Sequence, residues 1–73
     1  MKIYISFGQA YTHRVNKQTF DKNCIAEIEC KDLKHGRDIA FDLFNDKWHQ
    51  SLIEDEMNAR VLSFYPRGII KAN

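Results

Sequence analysis

The sequence predicts a single small α+β domain over residues 1–73: an antiparallel β-sheet with one helix packed on one face, in the order β-loop-β-α-β-β. Three observations carry this expectation. "KIYISFG", from Lys2, and "CIAEIEC", from Cys24, alternate in hydropathy with period two, as half-buried strands do. From Asp32 to Asp46 the apolar period lengthens to that of an amphipathic helix. A chain of 73 residues can bury only one small core, so all of these elements must share it.

In the first strand Ile3, Ile5 and Phe7 alternate with Lys2, Tyr4 and Ser6, and Gly8 ends the run. In the second, Cys24, Ala26, Ile28 and Cys30 point one way and Ile25, Glu27 and Glu29 the other. Between them lies "SFGQAYTHRVNKQTFDKN", Ser6 to Asn23, long for a connection in a compact domain. Tyr11, His13 and Val15 alternate with Thr12 and Arg14, Asn16-Lys17 can turn, and Gln18 to Phe20 can return. The loop can therefore hold a small hairpin, with Phe20 anchoring its base in the core.

Asp32 can cap the helix by accepting a first-turn N–H, and Leu33, Gly36, Ile39, Ala40, Leu43 and Phe44 form its apolar stripe. Gly36 costs about 1 kcal/mol against alanine inside a helix, so it is expected where the helix closely approaches the sheet. Asn45-Asp46 is the exit. "KWHQSLI", from Lys47, has two readings. As a strand it sets Trp48, Gln50 and Leu52 opposite His49, Ser51 and Ile53; as more helix it aligns Trp48, Leu52, Ile53 and Met57. The Asn45-Asp46 break favours the strand. "EDEMN" reads as an acidic turn, "ARVLSFY" (residues 59–65) as a strand, Pro66-Arg67-Gly68 as a turn, and "IIKAN" as a short last strand or tail.

Composition is that of a folded globular chain, 44% hydrophobic and 12% aromatic. No apolar run approaches the roughly 18–20 residues of a membrane span, and "IYISF" follows Met1-Lys2 without a leader-like region. A cytoplasmic protein with no membrane association is expected. Cys24 and Cys30, six positions apart on one strand, would lie about 20 Å apart, too far to pair, and neither has a CxxC or CxxH neighbour. Free, buried thiols are expected.

The net charge of +1 hides an uneven distribution. Residues 1–26 hold four Lys/Arg against one acid, residues 27–56 four against nine, and residues 57–73 three against none. Should the two ends of the chain become neighbours, the molecule would have a basic side and an acidic side, a property that concerns partners.

No GxSxG, HExxH, Walker or GxGxxG signature is present, and Gly8, Gly36 and Gly68 are isolated. His13, His35 and His49 have no shared spacing that would bind a metal. No catalytic residue, cofactor or metal is expected, and two surfaces remain as candidates for contact. One is basic and aromatic: Tyr11, His13, Arg14 and Lys17 of the loop, with Tyr65 and Arg67, could meet a protein or bind nucleic acid through cations and stacking. The other is acidic: Asp38, Asp42 and Asp46 recur at i, i+4, a carboxylate row with the spacing to imitate phosphates.

At "MKIYISFGQAYTHRVNKQTFDKN" and again at "FYPRG" the chain resembles a group of short proteins encoded by phages and prophages, with Ser6–Gln9, Thr12–Asn16, Thr19–Asp21 and Tyr65–Gly68 carrying the resemblance. The sheet-plus-helix plan is similar, by architecture alone, to small phage inhibitors of bacterial defence such as anti-CRISPR proteins. Together these imply a non-enzymatic protein that occupies a site on a host protein or ribonucleoprotein complex. Direct nucleic-acid binding is the alternative.

Overall fold

The computed structural model describes all residues, 1–73. Four strands form one sheet in the order β5-β1-β4-β6: β1 (Lys2–Ser6), β4 (Cys24–Glu29), β5 (Gln50–Ile53) and β6 (Gly68–Lys71). β2 (His13–Val15) and β3 (Gln18–Phe20) form a separate hairpin inside the long connection. The one long helix, α1 (Leu33–Phe44), packs on one face, and a short helical turn, α2 (Ala59–Leu62), lies with its flanking residues on the other. The α+β single-domain reading holds.

β1 pairs antiparallel with β4 and with β5, whereas β6 joins β4 in parallel, so the sheet is mixed. The chain must therefore cross over twice between parallel strands, since no tight turn can link them. From β4 it crosses to β5 over one face through α1, and from β5 it returns to β6 over the other through α2. Reversing both the face and the direction leaves the two crossovers with one common hand.

Strand alternation divides the core. Ile3, Ile5, Phe7, Cys24, Ala26, Ile28 and Cys30 meet Ala40 and Phe44 of α1, and Phe20 closes this layer from the hairpin, fully buried. On the other face Tyr4, Ile25 and Leu52 meet Met57, Val61 and Tyr65. Leu33, in the first turn of α1, stays 42% exposed despite its place in the sequence stripe.

Local chemistry explains the boundaries. Asp32 accepts the His35 N–H at 2.8 Å and starts α1. Asn45, at φ 57° and ψ −137°, ends it, and the Lys47 N–H closes the turn on the Phe44 carbonyl at 3.1 Å. Gly36 sits where α1 touches the sheet: a Cβ there would lie 2.6 Å from Ile3 Cδ1 and 2.8 Å from Cys30 Sγ. Asn16 and Lys17, at φ 51° and 67°, make the two-residue hairpin turn, which requires positive φ at both positions.

Three sequence readings are corrected. Residues 59–65 do not form a strand: Asn58 caps α2 by accepting the Val61 N–H at 3.0 Å, and Met57, Val61 and Tyr65 at i, i+4, i+8 cover the sheet. The last strand is instead 68–71, and it pairs in parallel. The strand after α1 begins only at Gln50; Trp48 lies before it, donates its indole N–H to the Asn45 carbonyl at 3.1 Å, and packs toward α1 and away from Leu52.

Candidate functional site

The long connection and the late Tyr-Pro-Arg-Gly segment meet at one end of the sheet. Arg67 is the joint: its guanidinium is 3.3 Å from the Asp21 carboxylate and donates to the Thr19 carbonyl at 2.8 Å, while its backbone N–H donates to Asn23 O at 2.8 Å. The two segments that carried the sequence resemblance are thus clamped to each other. Arg67, expected as a contact residue, directs Nη1 into the molecule while its side chain stays partly exposed.

His13 is likewise turned inward. Its Nε2–H donates to the Lys47 carbonyl at 2.7 Å, and its ring lies 5.7 Å from Phe7 and 5.1 Å from Phe44. It pins the hairpin to the segment leaving α1. Tyr11, Arg14 and Lys17 remain exposed on the hairpin arm, and Tyr65 is half-buried over the second core layer. Tyr11, Arg14, Lys17 and Arg67 are exposed and His13 and Tyr65 half-buried, and of the six His13 and Arg67 also make hydrogen bonds within the protein.

Beside this clamp is a groove of about 440 Å³ lined by Gly8, Gln9, Lys22, His49, Phe64 and Tyr65. Its walls are held by backbone bonds: His49 N–H to Ser6 O at 2.8 Å, Phe64 N–H to Val61 O at 3.1 Å, and Tyr65 N–H to Leu62 O at 3.0 Å. Gly8, at φ 65°, makes the sharp exit from β1, and a Cβ placed there would reach His49 Cβ at 3.4 Å. Phe64 is the most exposed large apolar side chain of the molecule, at 69%.

Sequence reasoning places Lys22 among the cations of the basic, aromatic side but misses Phe64 and His49, and for Phe64 the cause is specific. A strand over residues 59–65 alternates Phe64 with its neighbours across a sheet; the Asn58-capped helical turn instead rotates Val61 and Tyr65 inward and Phe64 out. Asn58 before Ala-Arg-Val-Leu was the signal.

Strand register also arranges charge. The hairpin end of the sheet gathers Arg14, Lys17, Lys22, Lys47 and Arg67 against Asp21, Asp42 and Asp46, five cations to three acids. The opposite end holds Glu54, Asp55 and Glu56, with Lys2 and Lys71 engaged by Glu27 and Glu29 at 3.8 and 3.9 Å. The separation runs along the strands, so neither face of the sheet is uniformly basic.

Asp38, Asp42 and Asp46 are all exposed but do not form one continuous row on α1. Asp46 lies beyond the end of α1, off the helical repeat, and Asp38 is paired with Lys34 at 3.3 Å; Asp42 alone stands exposed on the helix without an ion pair. The outer face of α1 is instead mixed, with Leu33, Arg37 and Phe41 at i, i+4, i+8 and the Arg37 guanidinium 5.8 Å above the Trp48 ring.

Neither cysteine offers a reactive thiol. Both are free and buried, and burial pushes the Cys24 thiol above its ordinary pKa, the Asp21 backbone N–H, which donates to Cys24 Sγ at 3.4 Å, and the Arg67 charge offsetting only part of this. No three His, Cys, Asp or Glu side chains gather as a metal site, and no helix is long and apolar enough to cross a membrane. Fold and site together define a small α+β domain with one basic, aromatic end. No protein family, curated protein or solved structure matches the chain.

Proposed function

We propose that this is a small phage-type binding protein that works without catalysis, in the host cytoplasm, by occupying the surface of a larger host protein or ribonucleoprotein complex. A nucleic-acid-processing or CRISPR effector is the target class the sequence resemblance suggests. The observation that carries the reading is Phe64: an aromatic ring left 69% exposed, on a backbone fixed by hydrogen bonds, at the basic end of the sheet. Exposing so large an apolar side chain has no folding benefit, and aromatic anchors ringed by polar groups dominate protein interfaces. The contact surface comprises Tyr11, Arg14, Lys17 and Tyr65 with Phe64 and Lys22.

The test is quantitative capture from host lysate, the bound protein then being purified and its affinity measured. Phe64→Ala is expected to weaken it about 30-fold, the size of an interface hot spot, and Arg14→Glu with Lys17→Glu at least 10-fold. Asp38→Lys with Asp42→Lys should leave it unchanged. Arg67 is unsuitable as a probe because its removal loosens the clamp itself. If the folded Phe64 and Arg14/Lys17 variants bind as well as the wild type, the reading fails. Binding to nucleic acid alone that weakens steeply from low to physiological salt would replace it with direct nucleic-acid recognition.

A further inference from the structure

We propose, building on the binding role above, that the groove between Gly8-Gln9, Lys22, His49 and Phe64-Tyr65 recognises an acidic peptide segment of the partner. Carboxylates of the segment lie against Lys22 and His49, and an apolar side chain of the segment lies on Phe64 and Tyr65. Asp21 is the acid nearest to Lys22 in the chain. Its carboxylate is held by the Arg67 guanidinium at 3.3 Å and by the Asn23 N–H at 2.9 Å, so its charge is already answered within the protein. Lys22 forms no ion pair, and the side chains of Gln9 and His49 form no hydrogen bond within the protein. No acid lines the groove.

The groove therefore presents an ammonium, an imidazole and an amide, all with free bonding capacity, beside an aromatic ledge. An anionic, partly apolar ligand complements every one of these groups. Cations elsewhere on the same end, Arg14, Lys17 and Lys47, extend that preference beyond the groove and would steer an acidic segment toward it. A peptide fits better than a nucleic acid strand. Strand binding uses a track of cations with successive stacking platforms, whereas this groove is bounded by six residues, with one lysine and one pair of adjacent aromatics.

The probe is the acetylated, amidated pentapeptide Glu-Glu-Phe-Glu-Glu, titrated to millimolar concentration into the full-length protein and followed by backbone amide NMR. Lys-Lys-Phe-Lys-Lys, Glu-Glu-Ala-Glu-Glu and a ten-nucleotide oligothymidylate serve as comparisons. Shifts should centre on Gly8, Gln9, Lys22, His49, Phe64 and Tyr65 with the acidic aromatic peptide. They should be at least fivefold weaker with either altered peptide. Lys22→Glu and Phe64→Ala, both on exposed side chains, should each raise Kd at least fivefold while leaving amide positions away from the groove unchanged.

An unresponsive groove, an equal response to the basic peptide, or a stronger response of the same residues to the oligonucleotide overturns the proposal. The two readings separate cleanly. If the groove is silent but Arg14→Glu with Lys17→Glu still abolishes host capture, the groove assignment alone fails. If the groove responds but no surface variant affects host capture, the blocking role fails and the peptide site stands.

Discussion

Gly36→Ala tests whether the helix is seated on the sheet as the structure has it. A Cβ at this position would lie 2.6 Å from Ile3 Cδ1, 2.9 Å from Ile3 Cγ1 and 2.8 Å from Cys30 Sγ. Carbon atoms in contact prefer about 3.5–4.0 Å, so three contacts are short by most of an ångström. Ile3 is fully buried on β1 and Cys30 follows β4, so neither neighbour can swing into solvent. Overpacking of this kind costs about 1–3 kcal/mol, and with clashes against two strands we place it near 3. Alanine recovers about 1 kcal/mol of helix propensity. The net expectation is a loss of about 2 kcal/mol, or a Tm lower by roughly 8–16 °C in a domain of this size.

The assay is urea unfolding followed by far-UV circular dichroism, and a double-mutant cycle sharpens it. Ile3→Val removes Cδ1, the atom 2.6 Å away, at a cost of its own of about 1 kcal/mol. In that background Gly36→Ala should cost about 1 kcal/mol less than in the wild type, a coupling of the sign expected for a relieved clash. A Gly36→Ala protein as stable as the wild type, or a strictly additive double variant, would refute the close approach of α1 to β1.

Four further outcomes are expected. Ser6 Oγ is buried without a hydrogen-bond partner in the protein, so Ser6→Ala should raise stability by about 1 kcal/mol; a loss in the same urea assay would mean that the hydroxyl is satisfied. Lys17 occupies φ 67° where glycine is favoured, so Lys17→Gly should raise Tm by about 4–8 °C while weakening partner capture; unchanged capture would remove Lys17 from the contact surface. Cys24, with its thiol pKa raised by burial, should resist a thiol reagent at neutral pH until the protein unfolds, and rapid native labelling at Cys24 would contradict its burial. The same upward shift, with that of Tyr4 from burial and then from Glu54 and Glu27, makes the unfolded chain ionise first as pH rises past 9.0 and 10.0. Stability is therefore whole below pH 9 and should fall above it, and Tyr4→Phe should flatten the part beyond pH 10.

Legibility from sequence followed the locality of the cause. β1, β4, the hairpin with its Asn16-Lys17 turn and the Asp32 cap are set by alternation, by φ preference and by a bond spanning three residues, and all were readable. Even the purpose of Gly36 was, because a glycine in the apolar stripe of a helix has few other uses. The stretch 59–65 failed because two local signals competed. Its β-branched and aromatic residues favour extended chain, whereas Asn58 favours a helical start, and what decided between them was a nonlocal surface, Tyr4, Ile25 and Leu52, needing cover. Once that turn became helical, the strand it had displaced moved on to Gly68–Lys71 and had to arrive parallel.

The candidate site shows the same division. Residue types alone pointed to the basic, aromatic end that the fold assembles, since cations and tyrosines cluster in the connection and in the late motif. They could not show which side chains were already engaged. Arg67 and His13 look, in sequence, like the best ligands of the set, yet each is committed to a carbonyl and a packed neighbour more than thirty positions away. That commitment is what leaves Lys22 available: with Asp21 drawn to Arg67, the adjacent lysine loses its local acid and faces Phe64 across the groove. Arg67→Ala should therefore act at a distance as well as on stability. Freed from the clamp, Asp21 becomes a competitor for Lys22, and affinity for the acidic peptide should drop several-fold even in the fraction that remains folded. Asp21→Asn in the same background should restore that affinity without restoring Tm. Recovery of both together, or of neither, would show that Arg67 supports the groove only by holding the fold.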